Sequence, residues 1–154
     1  MGGPSSSQGQ SPKTALTPAQ RRQQEVAQLD FEIEFFQAVL ERYPEYVDVL
    51  RVLGNALTLR GRFAEGLEVD KRLTQLRPQE ALAHYNLACS HSLLHQVDAA
   101  FAALRRAIEL GYDDFAYMER DSDLDNIRSD PRYRKLLLEY ARAKQAKKKR
   151  SQQA

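Results

Sequence analysis

Three histidines and one cysteine between residues 84 and 95 are the side chains most capable of metal chemistry. His84, His91 and His95 are spaced seven and four residues apart, which places them near one face of a helix. A zinc site needs three or four ligands held by a supporting second layer of hydrogen bonds, and Cys89 projects to a different face from His91. The pattern therefore favours histidines packed in a core, and we predict no metal site.

A second set of potential ligands is acidic and consists of Asp121, Asp123 and Asp125. Alternating carboxylates resemble the start of a calcium loop, which also needs a glycine for its turn and a distal glutamate. Asn126 and Arg132 occupy those places. We therefore expect the aspartates to cap helices and to pair with Arg128 and Arg132.

The sequence contains no pattern typical of catalysis. It lacks a glycine-rich phosphate loop, a nucleophile elbow and a His-Glu-x-x-His motif, and Cys89 has no identifiable histidine partner. We predict a protein that is not an enzyme, with no catalytic residue and no cofactor. The single cysteine, the absence of a secretory signal pattern and the absence of a membrane-spanning apolar run favour the cytoplasm.

Charge is distributed unevenly along the 154 residues. The net charge is +2, but residues 132–150 carry nine Lys or Arg against Glu139 alone, and the remainder is acidic. The end of this stretch is a candidate for contacts with nucleic acid or an anionic surface, through Lys144, Lys147, Lys148, Lys149 and Arg150. No aromatic side chain interleaves these cations, so nucleic acid binding is the weaker hypothesis, and we expect a frayed, solvated tail over 141–154.

The elements that position these residues are predicted to be helices. Residues 1–16 are polar and are expected to be disordered. A helical segment over 17–44 starts at Thr17-Pro18 and ends before Pro44. Its front half is either a divergent partner helix or an extension, and we group the segment as a first hairpin.

A repeat of thirty-four residues organises the middle of the chain, because Leu53, Gly54 and Phe63 recur as Leu87, Ala88 and Val97. Hairpins are predicted over 45–78 and 81–111, with turns at Gly61 and at His95-Gln96. Gly54 is expected to allow close approach of two helix backbones. Residues 113–140 should form short pieces and a helix from Asp130-Pro131, covering the end of the stack.

The motif Leu50-x-x-Leu53-Gly54-x-x-Leu57, followed by Gly61, Phe63, Gly66, Leu73 and Pro78, resembles the tetratricopeptide repeat, and the next unit resembles it again. Asp70 departs from the family pattern, which favours an aromatic residue there. Residues 121–137 resemble the module that closes tetratricopeptide arrays in many bacterial proteins, and this resemblance suggests a bacterial source.

The resemblance implies an all-α fold, a right-handed stack of antiparallel helix hairpins with a capping helix. It also implies a concave groove that binds a peptide or protein partner, and the candidate groove residues are Arg51, Asn55, Thr58, Tyr85, Asn86, Cys89 and Ser92. An arginine with two asparagines could hold a peptide carboxylate, as in chaperone-binding members of the family. We predict a non-enzymatic adaptor; self-association through Phe31 and Phe35 into a homo-oligomer is a further hypothesis.

Overall fold

The predicted all-α stack of hairpins is confirmed by a computed structural model, which describes residues 15–153. The helices in this range are α1 (Pro18–Arg42), α2 (Val47–Leu59), α3 (Phe63–Leu76), α4 (Ala81–Leu93), α5 (Val97–Glu109), α6 (Phe115–Arg120), α7 (Asp125–Arg128) and α8 (Pro131–Gln152), with a 3-10 turn at Ser122–Leu124. From α1 to α5 each helix packs on the next one along the chain. None of the helices between residues 15 and 153 combines the length and apolarity that a bilayer crossing requires.

The first segment differs from its prediction as a hairpin, because residues 18–42 form one unbroken helix. Thr17 Oγ1 accepts a hydrogen bond from the Gln20 N–H at 3.2 Å, and the Gln20 side chain accepts one from the Thr17 N–H at 2.8 Å. This capping box fixes the start, and no glycine or proline interrupts the segment before Pro44. The prediction of disorder for residues 1–16 concerns mainly residues 1–14, which lie outside those described.

The two central hairpins form where the repeat predicts them. Gly61 ends α2 with φ of 79°, and His95 occupies the equivalent position after α4 with φ of 57°. Gly54 lies at a close approach, since an added Cβ would be 3.3 Å from Asp70 Oδ1 and 3.4 Å from Val69 Cγ1. The repeat therefore determines both the turns and the contact between α2 and α3.

The largest core cluster lies between the second hairpin and the segment that follows it. Met118, Leu124 and Ile127 are fully buried and pack with residues of α4 and α5, including Leu104. Asp130 caps α8 by accepting a hydrogen bond from the Arg132 N–H at 2.9 Å. Residues 115–136, which we call the cap, thus cover the end of the stack.

The C-terminal end corrects the expectation of a frayed tail, because α8 continues without a break to Gln152. Residues 141–152 are mostly Ala, Lys, Arg and Gln, which are strong helix formers, and no glycine or proline interrupts them. Their side chains are all exposed. The cations are therefore presented on a solvated helix that extends beyond the packed core.

Candidate functional site

A groove of about 450 Å³ lies on the face formed by α2, α4 and the residues after α5. Six of the seven predicted groove residues line it: Arg51, Asn55, Thr58, Tyr85, Asn86 and Cys89. Sequence reasoning did not predict the other polar lining residues, which are Asp70, Ser90, Tyr112, Asp114, Tyr117, Asp121 and Asp123. The groove is therefore more acidic and more aromatic than predicted.

Ser92 corrects the predicted set, since it is fully buried and does not line the groove. Its backbone carbonyl accepts a hydrogen bond from Asn126 Nδ2 at 2.9 Å. The 3-10 turn and α7 pack against α4 at this point and exclude solvent. The side chain of Ser92 is therefore inaccessible to a ligand.

Arg51 is already engaged by an acidic side chain. Its two terminal nitrogens donate hydrogen bonds to Glu80 Oε1 and Oε2, both at 2.5 Å, and both side chains are partly buried. The hydrogen bond to Arg51 lowers the pKa of Glu80, and the hydrogen bond to Glu80 raises the pKa of Arg51. A peptide carboxylate would have to compete with Glu80 for this guanidinium, which weighs against the two-carboxylate clamp.

Asp121 is the centre of a buried polar cluster at the cap end of the groove. Its Oδ2 accepts hydrogen bonds from the Tyr85 hydroxyl at 2.6 Å and from the Cys89 thiol at 3.7 Å, and its Oδ1 accepts one from the Asp123 N–H at 3.0 Å. Burial, and then the negative charge of Asp121, raise the pKa of Cys89. The thiol is therefore protonated near neutral pH and weakly nucleophilic.

Cys89, Asp121 and Asp123 could also be considered as metal ligands, because one ligand atom of each lies within 4.8 Å of those of the other two. Tyr85, Cys89 and the Asp123 N–H already donate to Asp121, so the carboxylate is satisfied by protein groups. The sequence predicted that Asp121 and Asp123 cap helices and pair with arginines, and it did not predict a contact with Tyr85 or Cys89. Asp121 does cap the 3-10 turn, and its pairing with Tyr85 arises from residues 36 apart in the chain, a separation that leaves no local sequence signal.

Asp70 occupies the boundary between the groove and the core. It is 6% exposed, and its Oδ2 accepts a hydrogen bond from the Ser90 hydroxyl at 2.6 Å. Burial raises the pKa of this carboxyl to about 6, against the opposing effect of the Ser90 hydrogen bond. The departure from the family pattern at this position therefore introduces a titratable group into the groove wall.

Three tyrosines surround the same end of the groove. The rings of Tyr85 and Tyr112 stack with centroids 4.1 Å apart, and the Tyr117 ring lies 6.3 Å from Tyr85. Tyr85 is buried, Tyr112 is partly buried and Tyr117 is exposed. The pKa values of Tyr85 and Tyr112 are raised, first by burial. Tyr85 thus forms the floor of this end, and Tyr112 and Tyr117 form its rim.

The histidines are placed differently from the predicted core packing. His84 and His91 are half-buried, with His84 Nε2 2.9 Å from the Pro78 carbonyl oxygen and His91 Nδ1 2.7 Å from Gln96 Oε1. His95 is exposed in its turn. The prediction of core packing is therefore wrong for His84 and His91, which bond to the loops that flank α4. His95 lies in the turn that was predicted for His95-Gln96.

The basic C-terminal residues and the exposed phenylalanines lie away from the groove. Lys144 and Lys147 border a second groove of about 440 Å³ between α5 and α8, and Lys148, Lys149 and Arg150 continue along the exposed helix. Phe31 and Phe35 on α1 are 64% and 55% exposed, with ring centroids 6.5 Å apart. Binding through the basic residues and self-association both stay predictions.

Similarity to known proteins covers more than half of this chain but only a small part of each relative. The chain is 32% identical over 90 residues to a chloroplastic protein of Arabidopsis thaliana, covering 56% of this chain and 27% of that protein. It is 33% identical over 98 residues to the "Peroxisomal targeting signal receptor" of Pichia angusta, covering 64% of this chain and 17% of that receptor. The receptor of the same name from Komagataella phaffii is 31% identical over 90 residues, covering 58% of this chain and 16% of that receptor.

The chain therefore spans about a quarter of the plant protein and about a sixth of each yeast receptor. No model of a known protein family matches it. The bacterial closing module, the bacterial source and the cytoplasmic location stay predictions. Together with the stacked hairpins, the similarities support a tetratricopeptide-like helical repeat.

Proposed function

We propose that this chain is a protein-interaction module that holds a peptide segment of a partner protein in the groove between α2 and α4. The observation that carries the proposal is the preformed groove of about 450 Å³, lined by polar side chains on a rigid helical frame. A preformed site loses little conformational entropy on binding. The frame thus favours recognition of an extended segment.

Asn55 and Asn86 are the residues best suited to hold a peptide backbone. Asn55 is exposed and Asn86 is half-buried, and both line the groove from neighbouring hairpins. An amide side chain offers two donors and an acceptor, which match the carbonyl and N–H groups of an extended chain. Arg51 and Tyr85 contribute less than predicted, because Glu80 and Asp121 already engage them.

Similarity to the yeast receptors supports the same role. Their name describes receptors for a targeting signal, and we propose that this chain likewise receives a segment of another protein. We also propose that it has no catalytic activity of its own. The protonated Cys89 thiol and the engaged Asp121 support this, since neither is poised as a nucleophile or a base.

A peptide display library selected against the full chain tests the proposal. The double variant Asn55→Ala/Asn86→Ala should weaken the selected peptides by roughly tenfold or more, because about two hydrogen bonds are lost. The matched control is Glu68→Ala/Gln75→Ala, two exposed residues of α3 that do not line the groove. Selected peptides that bind both double variants equally well would overturn Asn55 and Asn86 as the contacts to the peptide backbone.

Self-association is a second candidate function, favoured by the two exposed phenylalanine rings on α1. Two apolar rings side by side on a solvated helix could be covered by the same face of a second copy. Light scattering across a concentration range should show dimers that Phe31→Ser/Phe35→Ser abolishes. A constant monomer mass up to millimolar concentration would contradict this candidate.

A further inference from the structure

The groove carries an excess of negative charge that the protein leaves unbalanced. Its lining carboxylates are Asp70, Asp114, Asp121 and Asp123. Arg51 is the one cationic lining residue in the described part of the chain, and Glu80 already neutralises it. Within residues 15–153 none of the four aspartates forms a salt bridge, whereas ten other carboxylates do.

Asp70 shows that this charge is directed into the groove. Only 6% of the residue is exposed, and Ser90 donates to Oδ2 alone. Its Oδ1 has no hydrogen-bond partner among the described residues, although it belongs to a carboxylate in the groove wall. Asp70 Oδ1 is also not among the solvent-excluded atoms without a partner in residues 15–153, so it keeps contact with solvent at the groove wall. A cationic donor from a ligand can therefore reach it and replace that solvent contact with a charge-assisted hydrogen bond.

Asp121 and Asp123 place further negative charge at the cap end. Their carboxylate oxygens are within 4.8 Å of each other, and burial followed by the charge of Asp121 raises the pKa of Asp123. The charge of Asp121 is also the largest cause of the raised pKa of Tyr117 on the rim. Arg128 lies nearby but donates to the backbone carbonyl of Asp121 rather than to its carboxylate.

Helix α4 brings the two acidic sites to one groove. Two consecutive residues of α4 donate hydrogen bonds to them: Ser90 donates to Asp70, which belongs to α3, and Cys89 donates to Asp121, which belongs to the cap. The rim tyrosines add aromatic surface, and the Arg120 guanidinium already lies 5.9 Å from the centre of the Tyr117 ring. Carboxylates beside tyrosine rings form an environment that stabilises ammonium and guanidinium groups.

We infer that the groove selects a cationic partner segment, with lysine or arginine side chains seated between Asp70 at one site and Asp114, Asp121 and Asp123 at the other. This inference rests on the proposed peptide groove and specifies the chemistry of its ligand. It replaces the acidic ligand that a carboxylate clamp would bind.

Direct titration with defined peptides tests the inference. The probes are seven-residue peptides of alternating serine and lysine, serine and glutamate, or serine and glutamine, each blocked at both ends and carrying a fluorophore. The full chain should bind the lysine peptide at least tenfold more tightly than the other two, and the difference should shrink as salt is raised. No measurable binding of the lysine peptide at millimolar protein overturns the inference.

Aspartate variants locate the site. Asp114→Asn and Asp123→Asn should each weaken the lysine peptide by about threefold to fivefold, as expected for loss of a partly exposed ion pair. Asp113→Asn is the matched control, because this exposed neighbour carries the same charge without lining the groove. Circular dichroism melts of all three verify folding, and Asp70→Asn provides an independent variant at the other acidic site. If Asp113→Asn weakened binding of the lysine peptide equally, the effect would come from the net charge of the protein rather than from the groove, and the inference would be overturned.

The remaining outcomes separate this inference from the proposed function. If library peptides depend on Asn55 and Asn86 but are neutral or acidic, the groove stands and the cationic ligand is overturned. If lysine peptides bind and the asparagine variants have no effect, the acidic site stands without the proposed backbone contacts. Dimers that form at low salt and dissociate on Lys147→Gln/Lys148→Gln/Lys149→Gln would assign the groove to a second copy and overturn a separate partner.

Discussion

The two central hairpins occupy equivalent positions in the repeat, yet positions that stay accessible in the first hairpin are covered in the second. Asn55 and Thr58 of α2 correspond to Cys89 and Ser92 of α4, thirty-four residues later. Asn55 is exposed and Thr58 is half-buried, whereas Cys89 is 7% exposed and Ser92 is fully buried. The cap covers α4 at these positions, so repeat position determines the direction of a side chain and the neighbouring segment determines its exposure.

The second helices of the hairpins differ in residue type rather than in exposure. Asp70 of α3 corresponds to Leu104 of α5, and both are buried. Leu104 belongs to the large core cluster, while Asp70 bonds to Ser90 at the groove wall. One repeat position thus serves apolar packing in one hairpin and a polar, titratable contact in the other.

An aspartate placed at position 104, the counterpart of Asp70, gives the largest expected effect on stability. Leu104→Asp buries a carboxylate in an apolar cluster, and it should lower the free energy of unfolding by more than about 3 kcal/mol or prevent folding. Leu138→Asp, at a position that is 50% exposed, is the control and should change it by less than about 0.5 kcal/mol. Urea denaturation of both variants measures the difference. Similar values would mean that Leu104 is not a core residue.

The cap should account for the next largest effect. Ile127→Ala removes a fully buried side chain from the cover over α4 and should lower the free energy of unfolding by about 2–4 kcal/mol.

The same Ile127→Ala variant should speed the reaction of Cys89 with a thiol reagent, because the cover opens more often. Val52→Ala, at a position that is 45% exposed, is the control and should leave both quantities nearly unchanged. An unchanged thiol reaction rate in Ile127→Ala would contradict the role of the cap in burying this face.

The pH dependence of stability distinguishes Asp70 from its apolar counterpart. Burial raises the pKa of Asp70 from 3.8 to about 6. The folded state therefore holds this proton more tightly, so the contribution of Asp70 to stability is present below about pH 4 and is lost as pH rises through 6.

Relative to Asp70→Asn, the wild-type free energy of unfolding should fall by roughly 2–3 kcal/mol between pH 4 and pH 7. Urea denaturation of both proteins at each pH measures this, and the other titrating groups cancel in the comparison. Parallel pH profiles would mean that the carboxyl of Asp70 titrates normally.

The turns give the smallest expected effect. Gly61 and His95 occupy equivalent left-handed positions, with φ of 79° and 57°. Gly61→Ala should lower the free energy of unfolding by about 1 kcal/mol, and His95→Gly should raise it by about 0.5 kcal/mol. Thermal melts of the two variants check the opposite signs. A loss of stability in His95→Gly would show that the imidazole, rather than the backbone angle, stabilises this turn.

The sequence was a reliable guide wherever the deciding interactions are local. Thr17 and Asp130 begin helices because their side chains bond to N–H groups two or three residues ahead. Gly61 and Gly111 end helices because glycine adopts a positive φ without strain. The thirty-four-residue period then specified the order of the hairpins and their turns, and the resemblance to the tetratricopeptide repeat implied six of the residues that line the groove.

Two predictions about element length were wrong for local reasons that the sequence already contained. The segment 17–44 has no turn residue in its middle, so it forms one helix rather than a hairpin. Residues 141–152 contain no helix breaker, so α8 continues through the basic residues.

The character of the groove was decided only by the tertiary structure. The Ser90 contact with Asp70, the Arg51 contact with Glu80 and the Tyr85 contact with Asp121 join residues 20, 29 and 36 apart in the chain. Local propensities contain no signal for such pairs, because each forms only after two helices or a helix and the cap have packed. The sequence by itself thus determined the helices and their order, whereas packing of the cap on α4 determined which polar groups are buried and which face a ligand.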